Sequence, residues 1–431
     1  MPARNHEQWM ASPEYPAGDW VDSRVYSDPE IYHEEIEKIF SKVWIPICHE
    51  SELPKPYDFR TATIAHEPII ICRGPDDRIR AFLNVCSHRG MLIERRPSGS
   101  FLEGQPSGNP KRMTCMFHAW QYDLKGNCVY IAREKEGYQD RICKEQMGLR
   151  RLRCEVKYAG FVWVCLDDKA DSLEDWCGEA FEEQEKRTGV EPMEVFHYHK
   201  AILPTNYKLW HDTNSELYHD YLHYHNRVTG FDEAYFKREG YGHANGHVTF
   251  SNYAPAYTEY EGFDDRDDAS FPNTPPNGWF LVDLFPGMNF NLRGSAFRVD
   301  IQTPLGPDKV MIEFRGLGLK SDTPEVRQAR IDHHNTIWGP FGRNLHEDLL
   351  AVSVQNTAMQ NAAEPRRVLQ GRHENNLVHD EIGLRHFYET WGQWMDRDPS
   401  KPDKSFKRKR KAPAKKRAAP AKKRSATAKA K

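Results

Sequence analysis

The chain has 431 residues, enough for two or three domains, and its apolar content of 39% can build sizeable cores. No apolar run approaches the ~18 residues of a membrane span, and the first ten residues lack the apolar centre of a signal peptide. We therefore expect a cytoplasmic protein that does not contact a membrane. All nine cysteines lie between Cys48 and Cys177. An odd number clustered in one region argues against a disulfide framework and for metal ligands or free thiols.

The predicted elements begin with a helical segment over residues 1–45, which we expect to pack on the second domain. Residues 46–170 change character, because short strand-like runs alternate there with Gly and Pro turns. This pattern predicts a small all-β domain. The polar stretch at 167–172 is predicted to link it to a second domain over residues 171–400.

The second domain is predicted to mix helices and strands. Residues 171–230 are rich in helix formers and hold a dense cluster of acids and histidines. Strand-like segments return between residues 245 and 320, and residues 324–361 are predicted to be helical, starting at Pro324. The predicted fold class of the whole chain is therefore α+β.

The C-terminal segment, residues 401–431, is predicted to be a disordered basic tail, because Lys, Arg, Ala and Pro bury little apolar area. From Lys404 onward it holds 14 Lys or Arg and no acid, and removing these 14 charges from the net charge of −3 leaves −17 for the rest. Such a block is usually a solvated arm, or here an arm on the protein's own acidic surface. Nucleic-acid binding is the alternative, since Lys and Arg neutralise phosphates without a fold. It would be an accessory property, so we do not expect nucleic acid as a main partner.

Two short loops each contain one Cys and one His, namely Cys86-x-His88 and Cys115-x-x-His118. Thiolates are soft ligands and imidazoles are borderline, so this set suits zinc or an iron–sulfur cluster. A Rieske 2Fe–2S centre needs such a set, because one iron takes two Cys and the other takes two His. A zinc ribbon is the alternative, but it more often pairs Cys with Cys in one loop and lacks flanking aromatic residues such as Trp120.

The residues around both loops resemble the Rieske family. The matching stretches are Cys86-x-His88-Arg89-Gly90 and Cys115-x-x-His118-x-Trp120-x-Tyr122-Asp123. The resemblance implies that Cys86, His88, Cys115 and His118 hold the cluster. Three departures stand out: Met116 replaces the family's usual Pro, Ala119 replaces its usual Gly, and 26 residues separate the two loops, more than in most members. The first two change loop stiffness and leave the ligands in place.

A second candidate metal site lies downstream. His219 and His223 are four residues apart, so on an α-helix both would face the same way as a chelating pair. A carboxylate as third ligand would complete a facial triad that leaves positions open for O2, and Asp348 is the best candidate. Four histidines lie within residues 211–225, and a His-rich helix more often carries structural histidines, so the pair alone does not specify iron.

This second site resembles the catalytic motif of ring-hydroxylating oxygenase large subunits, in which an acid and two further residues precede the first His. The matching residues here are Glu216, Tyr218, His219 and His223. The Phe-Gly…Glu-Asp pattern at 341–348 resembles the region that supplies the third ligand. Two assignments stay open: His225 is the runner-up to His223, and Glu347 competes with Asp348.

The family resemblance implies a Rieske β-domain followed by a helix-grip (StAR-related-like) catalytic domain with an antiparallel sheet. It also implies a trimer of large subunits, as a homotrimer or as a hetero-hexamer with a small β subunit. Electrons would then cross from the cluster of one subunit to the mononuclear Fe(II) of its neighbour. Glu216 is predicted to bridge His219 and a neighbour's cluster histidine, His88 or His118, and Asp212, one helical turn earlier, is the competing bridge.

The chain shows no Gly-rich dinucleotide fingerprint, so NADH is expected to act through a separate reductase and ferredoxin. Most of the family hydroxylates aromatic rings, but the 26-residue spacer resembles the branch that oxidises methanesulfonate to formaldehyde and sulfite. We therefore expect a small anionic substrate and O2, with Arg293 as a weak candidate for binding the anion. An oxygenase for an aromatic acid or aromatic sulfonate is the main alternative. A Rieske electron carrier and a zinc-dependent nucleic-acid-binding protein are the non-oxygenase alternatives.

Overall fold

The computed structural model describes residues 18–103, 111–139, 141–253, 269–276, 278–371 and 375–402. The predicted tail therefore lies almost entirely outside the described residues, as does the first part of the predicted N-terminal segment. All nine cysteines are described, and none of them forms a disulfide bond. Among the described residues, no helix has the length and apolar character needed to cross a membrane.

The strands, in chain order, are β1 (Trp20–Asp22), β2 (Ile45–His49), β3 (Asp58–Ile64), β4 (Glu67–Arg73), β5 (Ile79–Leu83), β6 (Ser98–Ser100), β7 (Met113–Thr114), β8 (Gln121–Tyr122), β9 (Cys128–Tyr130), β10 (Arg151–Lys157), β11 (Phe161–Cys165), β12 (Met193–Leu203), β13 (Gly240–Gly242), β14 (Val248–Tyr253), β15 (Trp279–Leu284), β16 (Met288–Arg293), β17 (Ala296–Gly306), β18 (Lys309–Leu319) and β19 (Arg367–Leu369). The α-helices are α1 (Arg24–Ser27), α2 (Pro29–Glu35), α3 (Glu134–Tyr138), α4 (Leu173–Thr188), α5 (Tyr207–Ser215), α6 (Tyr224–Thr229), α7 (Glu233–Phe236), α8 (Pro324–Trp338), α9 (Leu345–Gln360) and α10 (Ile382–Met395). Short 3-10 turns lie at Glu50–Glu52, Lys144–Gln146, Tyr218–Leu222 and Ala244–Gly246, and a π-helix spans Ile36–Phe40.

The N-terminal half is built on β-structure. Seven strands form an antiparallel sheet in the order β2-β11-β10-β5-β4-β3-β6, and β7, β8 and β9 form a small second sheet. Strands β2 and β11 are buried in a large core shared with the C-terminal half. A smaller separate core contains Ile70, Phe82, Cys86 and Cys115. The first Cys-x-His loop follows β5, and the second lies between β7 and β8.

The C-terminal half contains a second antiparallel sheet of seven strands, in the order β12-β18-β17-β16-β15-β14-β13. Helix α5 lies between this sheet and the helices α9 and α10. This packing brings the segment that follows α5 close to the start of α9. The mixture of helices and antiparallel sheets confirms the predicted α+β class.

One strand lies where the sequence predicted helix. Met193–Leu203 forms β12, although residues 171–230 are rich in helix formers. It pairs with β18 along its whole length, from Met193 opposite Leu319 to Leu203 opposite Val310. Cross-strand pairing and the partial burial of alternate side chains outweigh a weak local propensity, which is why composition alone was misleading here.

A buried ion pair holds the N-terminal segment against the C-terminal half of the chain. Glu35 and Lys208 are both fully buried and lie 2.8 Å apart, and the Trp391 indole N–H also donates to Glu35 at 2.6 Å. Breaking such a pair leaves an uncompensated buried charge, which typically costs several kcal/mol. Strand β1 adds a second attachment, because it pairs with β19.

Candidate metal centres

The two Cys-His loops come together in the N-terminal half. The thiols of Cys86 and Cys115 are buried, whereas the imidazoles of His88 and His118 are only half-buried. The two imidazole rings lie 4.6 Å apart between centroids. Two buried sulfurs beside two neighbouring imidazoles make the donor set that a Rieske cluster requires, so these residues fit the cofactor.

Aromatic side chains fix the ligand atoms of this site. The His88 ring stacks on Trp120 with a centroid distance of 4.9 Å, and its Nε2 is hydrogen-bonded to the Tyr138 hydroxyl at 3.1 Å. The Tyr122 oxygen accepts a hydrogen bond from the Ser87 N–H at 3.2 Å and lies 3.1 Å from the Cys86 sulfur. The Tyr122 proton is therefore available to the sulfur, and such hydrogen bonds tune the reduction potential of iron–sulfur clusters.

Ala119, which replaces the usual Gly of the Rieske motif, has a strained backbone. Its φ of +58° lies in the left-handed region, which favours glycine, the residue usual at this position in the family. An L-residue in this conformation costs about 1–2 kcal/mol because its Cβ approaches the backbone. Gly90 adopts a similar φ of +71° in the first loop, where a glycine is present.

The local structure around the second site differs from the prediction. The expectation that His219 and His223 share an α-helix is wrong, because α5 ends at Ser215 and Glu216 is extended, with φ −139° and ψ 153°. A 3-10 turn follows, and His223 lies at its end. The Glu216 carboxylate accepts the His219 backbone N–H at 3.0 Å, a local bond that competes with a continuing helix.

The two imidazoles nevertheless converge on one carboxylate. The Nε2 atoms of His219 and His223 lie 3.7 and 3.6 Å from Oδ1 of Asp348. One ligand atom from each of these three residues lies within 4.8 Å of the others. A single first-row metal ion with bonds of about 2 Å can bridge such separations after small adjustments. We call these three residues the triad.

Two further carboxylates orient the triad. His219 donates its Nδ1–H to Glu216 at 2.9 Å, and His223 donates its Nδ1–H to Glu347 at 2.7 Å. Both Nε2 atoms are therefore left for a metal, as in the carboxylate–histidine pairs that support metal ligands. Oδ1 of Asp348 is buried and has no hydrogen-bond partner among the described residues. An orphaned carboxylate oxygen facing two imidazole nitrogens fits a metal ion.

The competing ligands lie outside this arrangement. Glu347 accepts hydrogen bonds from His223 and from the Tyr224 backbone N–H, so its oxygens are engaged beside the triad. Nε2 of His225 lies 3.2 Å from an Arg343 nitrogen. The geometry thus favours His223 over His225, and Asp348 over Glu347, as ligands of the second site.

The charges of the triad are strongly coupled. Burial opposes protonation of His219, but the Glu216 and Asp348 carboxylates outweigh it and raise its pKa to about 10. Burial, reinforced by the charge of His219, lowers the pKa of His223 to about 3. Burial raises the pKa of Asp348 to about 7. A bound cation would compete with the His219 proton and stabilise the Asp348 carboxylate.

Asp212 and Glu216, the two predicted bridges, have different surroundings. Asp212 is half-buried and accepts hydrogen bonds from the hydroxyls of Tyr26 at 2.8 Å and Tyr388 at 3.0 Å. Burial raises the pKa of Asp212 to about 7. It thus binds the N-terminal segment and α10, whereas Glu216 contacts His219 directly.

A small cavity of about 30 Å³ adjoins the triad. We call it the triad cavity, and its lining includes Asn214, Trp279, Asn291, Arg293, Arg298, Trp338 and Asn344 beside the triad itself. Arg293, predicted from the sequence as a weak anion-binding candidate, is buried, with its guanidinium 4.3 Å from the Trp279 ring centroid. Sequence reasoning missed Arg298, Trp338 and Asn344, because only the fold brings them to the triad.

Comparisons with known proteins agree with both sites. Residues 43–146 match the Rieske [2Fe-2S] domain family, and residues 190–397 match the ring hydroxylating alpha subunit catalytic domain family. The chain is 69% identical to the methanesulfonate monooxygenase hydroxylase subunit alpha of Methylosulfonomonas methylovora, over 94% of this chain and 97% of that protein. It is 42% identical to the 2-aminobenzenesulfonate 2,3-dioxygenase subunit alpha of Alcaligenes sp, over 88% and 94% of the two chains.

Solved structures share the fold. A quaternary ammonium Rieske monooxygenase covers 89% of this chain and all of its own, with a TM-score of 0.72 and 23% identity. Naphthalene 1,2-dioxygenase from Rhodococcus sp. covers 87% of this chain and 94% of its own, with a TM-score of 0.73 and 22% identity.

The two family matches decide between the classes that the sequence left open. A Rieske electron carrier and a zinc protein would both lack the catalytic domain that residues 190–397 match. Oxygenases of this family are oligomeric, use O2, and receive NADH electrons through a separate reductase and ferredoxin. The chain therefore belongs to the Rieske non-haem iron oxygenases and is the large subunit of a terminal oxygenase that uses a 2Fe–2S cluster and a mononuclear iron.

Proposed function

We propose that this oxygenase hydroxylates the methyl carbon of methanesulfonate. The observation that carries the proposal is the triad cavity, which combines a volume of about 30 Å³ with two guanidinium groups in its wall. Pockets for drug-sized ligands are usually several hundred Å³, so a cavity this small disfavours an aromatic substrate, and the two guanidinium groups favour an anion. The relative that is 69% identical is named for methanesulfonate, which agrees with the cavity.

The proposed reaction balances as follows. Two electrons from NADH and two from the methyl C–H bond reduce O2, so that one oxygen atom forms the new hydroxyl group and the other forms water. The product, hydroxymethanesulfonate, then loses its hydroxyl proton as the C–S bond breaks, which gives formaldehyde and hydrogen sulfite. The mononuclear iron supplies the site of O2 activation when it is bound.

The ligand assignments are part of this proposal. Cys86 and Cys115 would hold one iron of the cluster, and His88 and His118 the other. His219, His223 and Asp348 would hold the mononuclear iron, supported by the convergence of their ligand atoms on one point.

We propose that Glu216 connects the two centres across a subunit boundary. Its carboxylate already binds Nδ1 of His219 and is partly exposed, so it can also accept a hydrogen bond from a cluster histidine of a neighbour. Of the two cluster histidines, His118 suits this role better, because Nε2 of His88 is engaged by Tyr138. The proposal therefore assigns His118 as the ligand through which electrons leave the cluster. It assigns Glu216, and not Asp212, as the bridge between the two centres.

The proposed assembly is a trimer of large subunits in the cytoplasm, alone or with a small β subunit. Large apolar side chains are exposed beside both centres, as expected if they meet in an interface. These side chains are Met116 and Phe117 near the cluster and Tyr218 and Tyr224 near the triad.

Buried groups of this chain would control access to the reacting carbon. Trp279 and Trp338 lie against the Arg293 guanidinium at 4.3 and 5.6 Å from their ring centroids and leave little room for water. Excluding water protects a reactive oxidant and strengthens each charge interaction in the cavity.

A substrate panel tests the proposal. The oxygenase, with reductase and ferredoxin, is supplied with methanesulfonate, benzenesulfonate, 2-aminobenzenesulfonate or benzoate, and NADH consumption and products are measured. We expect formaldehyde and sulfite from methanesulfonate and little turnover of the aromatic compounds. Formation of an aromatic diol without formaldehyde would replace the proposal with the ring-hydroxylating alternative, which the 42% identical relative represents.

A further inference from the structure

Asn344 is a buried amide without a partner. It directly precedes α9, is only 3% exposed, and lines the triad cavity. Neither its Nδ2 nor its Oδ1 has a hydrogen-bond partner among the described residues. Buried amides are almost always hydrogen-bonded, so an unused one in a cavity wall points to a ligand or a bound water.

Arg298 lies in the same cavity wall and is 3% exposed. Its Nη2 is held by Oδ1 of Asn214 at 3.0 Å and by Oδ2 of Asp300 at 2.8 Å. The guanidinium lies 5.1 Å from the ring centroid of Trp338. Its Nε–H is buried and has no hydrogen-bond partner among the described residues. Arg298 is therefore immobilised at one edge and still has donor capacity.

We infer that Arg298 and the amide of Asn344 form the anchor for the sulfonate group, with Arg293 adding a second positive charge in the cavity wall. This inference rests on the proposed function, and it names the residues that would make the oxygenase bind a sulfonate. A sulfonate has three oxygens that only accept hydrogen bonds, which matches a set of N–H donors. A buried anion needs such partners, because an unpaired one is strongly disfavoured.

The fold also fixes the distance between this anchor and the triad. Asn344 precedes α9, and Asp348 lies four residues later, which corresponds to about 6 Å along a helix. A one-carbon sulfonate held at Asn344 can therefore place its methyl group beside the triad. The N-terminus of this 16-residue helix adds partial positive charge near the bound anion.

The anchor can be tested without turnover by calorimetry on the intact oxygenase, without reductase. Methanesulfonate is the anionic probe, and dimethyl sulfone is a neutral probe of similar shape. We expect the sulfone to bind about 10- to 100-fold more weakly, as expected for loss of charged hydrogen bonds. Equal dissociation constants for the two probes would overturn the anchor, and this result needs no variant. If the wild-type protein binds and oxidises no methanesulfonate, the proposed substrate fails, and the anchor fails with it.

Variants then identify the residues. Asn344→Asp places a carboxylate beside the sulfonate and should weaken methanesulfonate binding about 100-fold, while Asn344→Ala and Arg298→Gln should each weaken it about 10-fold. The matched control is Asn335→Asp, which makes the same change at an exposed position of α8 and should bind as the wild type does. Iron content and the cluster spectrum show whether each variant keeps its centres. If variants with intact centres bind methanesulfonate as the wild type does, the assignment to Arg298 and Asn344 is wrong, although the substrate proposal would stand.

Discussion

The two candidate metal centres of this chain are built in opposite ways. The candidate cluster ligands come from two compact loops between short strands, and the rings of Trp120 and Tyr138 contact one of them, His88. The triad comes from a 3-10 turn and a helix more than a hundred residues later, and carboxylates hold its imidazoles. A site made of local loops can be recognised in the sequence, whereas one assembled by tertiary packing shows only some of its ligands there.

The largest predicted effect is the loss of one metal centre while the other stays intact. Asp348→Ala should remove the mononuclear iron and all oxygenation, because the triad loses its only carboxylate, while the cluster spectrum stays unchanged. Metal analysis and absorption spectra of the purified variant measure both. His225→Ala is the control, because His225 lies outside the triad beside Arg343. If His225→Ala loses the iron and His223→Ala retains it, His225 and not His223 is the second histidine ligand.

The connection between the centres should respond to Glu216. Glu216→Gln keeps the shape but loses the charge that holds His219, so cluster oxidation by O2 in the presence of substrate should slow by about 100-fold. Rapid mixing of the reduced protein with O2 measures this rate. Asp212→Asn is the comparison, since Asp212 faces Tyr26 and Tyr388 and should leave the rate near that of the wild type. A wild-type rate in Glu216→Gln would show that Glu216 is not the bridge. Slow cluster oxidation in Asp212→Asn instead would assign the bridge to Asp212.

The carboxylate support of the triad can be weakened separately. Glu347→Gln exchanges the acceptor for Nδ1 of His223 for a neutral amide, so mononuclear iron should bind about 10-fold more weakly. Iron retention during dialysis against a chelator measures the change. The cluster should be unaffected, and unchanged iron retention would show that His223 does not need this carboxylate.

The smallest effect concerns the cluster loops. Ala119→Gly removes the cost of a left-handed φ and should raise the free energy of unfolding by up to about 1 kcal/mol. The flexibility of glycine in the unfolded chain offsets part of this gain. Chemical denaturation of the intact protein measures it. Lower stability in Ala119→Gly would mean that the alanine packs in a way that outweighs its strain.

The fold class and the cluster loops could be predicted from the sequence because their signals are local. Short strands between Gly and Pro turns and two Cys-His loops are each contained within a few residues. The helical reading of His219 and His223 was wrong, because the Glu216 side chain binds the backbone N–H of His219 and favours a 3-10 turn. Their spacing still indicated a chelating pair.

The surroundings of the triad could not be predicted in the same way. Arg298 and Asn344 lie in β17 and before α9, and nothing in their local sequence distinguishes them from residues of other strands and helices. Only the packing of α5 between the sheet and α9 brings them to His219. The choice between Glu347 and Asp348 likewise depended on which side chain reaches His223 Nδ1 and which faces both Nε2 atoms.

The most direct test of the central claim is a single turnover by the reduced oxygenase alone. The purified oxygenase is reduced, freed of reductant and reductase, and mixed with O2 and methanesulfonate. When both centres are loaded, the cluster and the mononuclear iron would each supply one electron, which together meet the two-electron demand of one hydroxylation. We predict that cluster oxidation is accompanied by formaldehyde and sulfite in equal amounts. Oxidation of the cluster without formaldehyde, in protein that retains its iron, would contradict the proposed function.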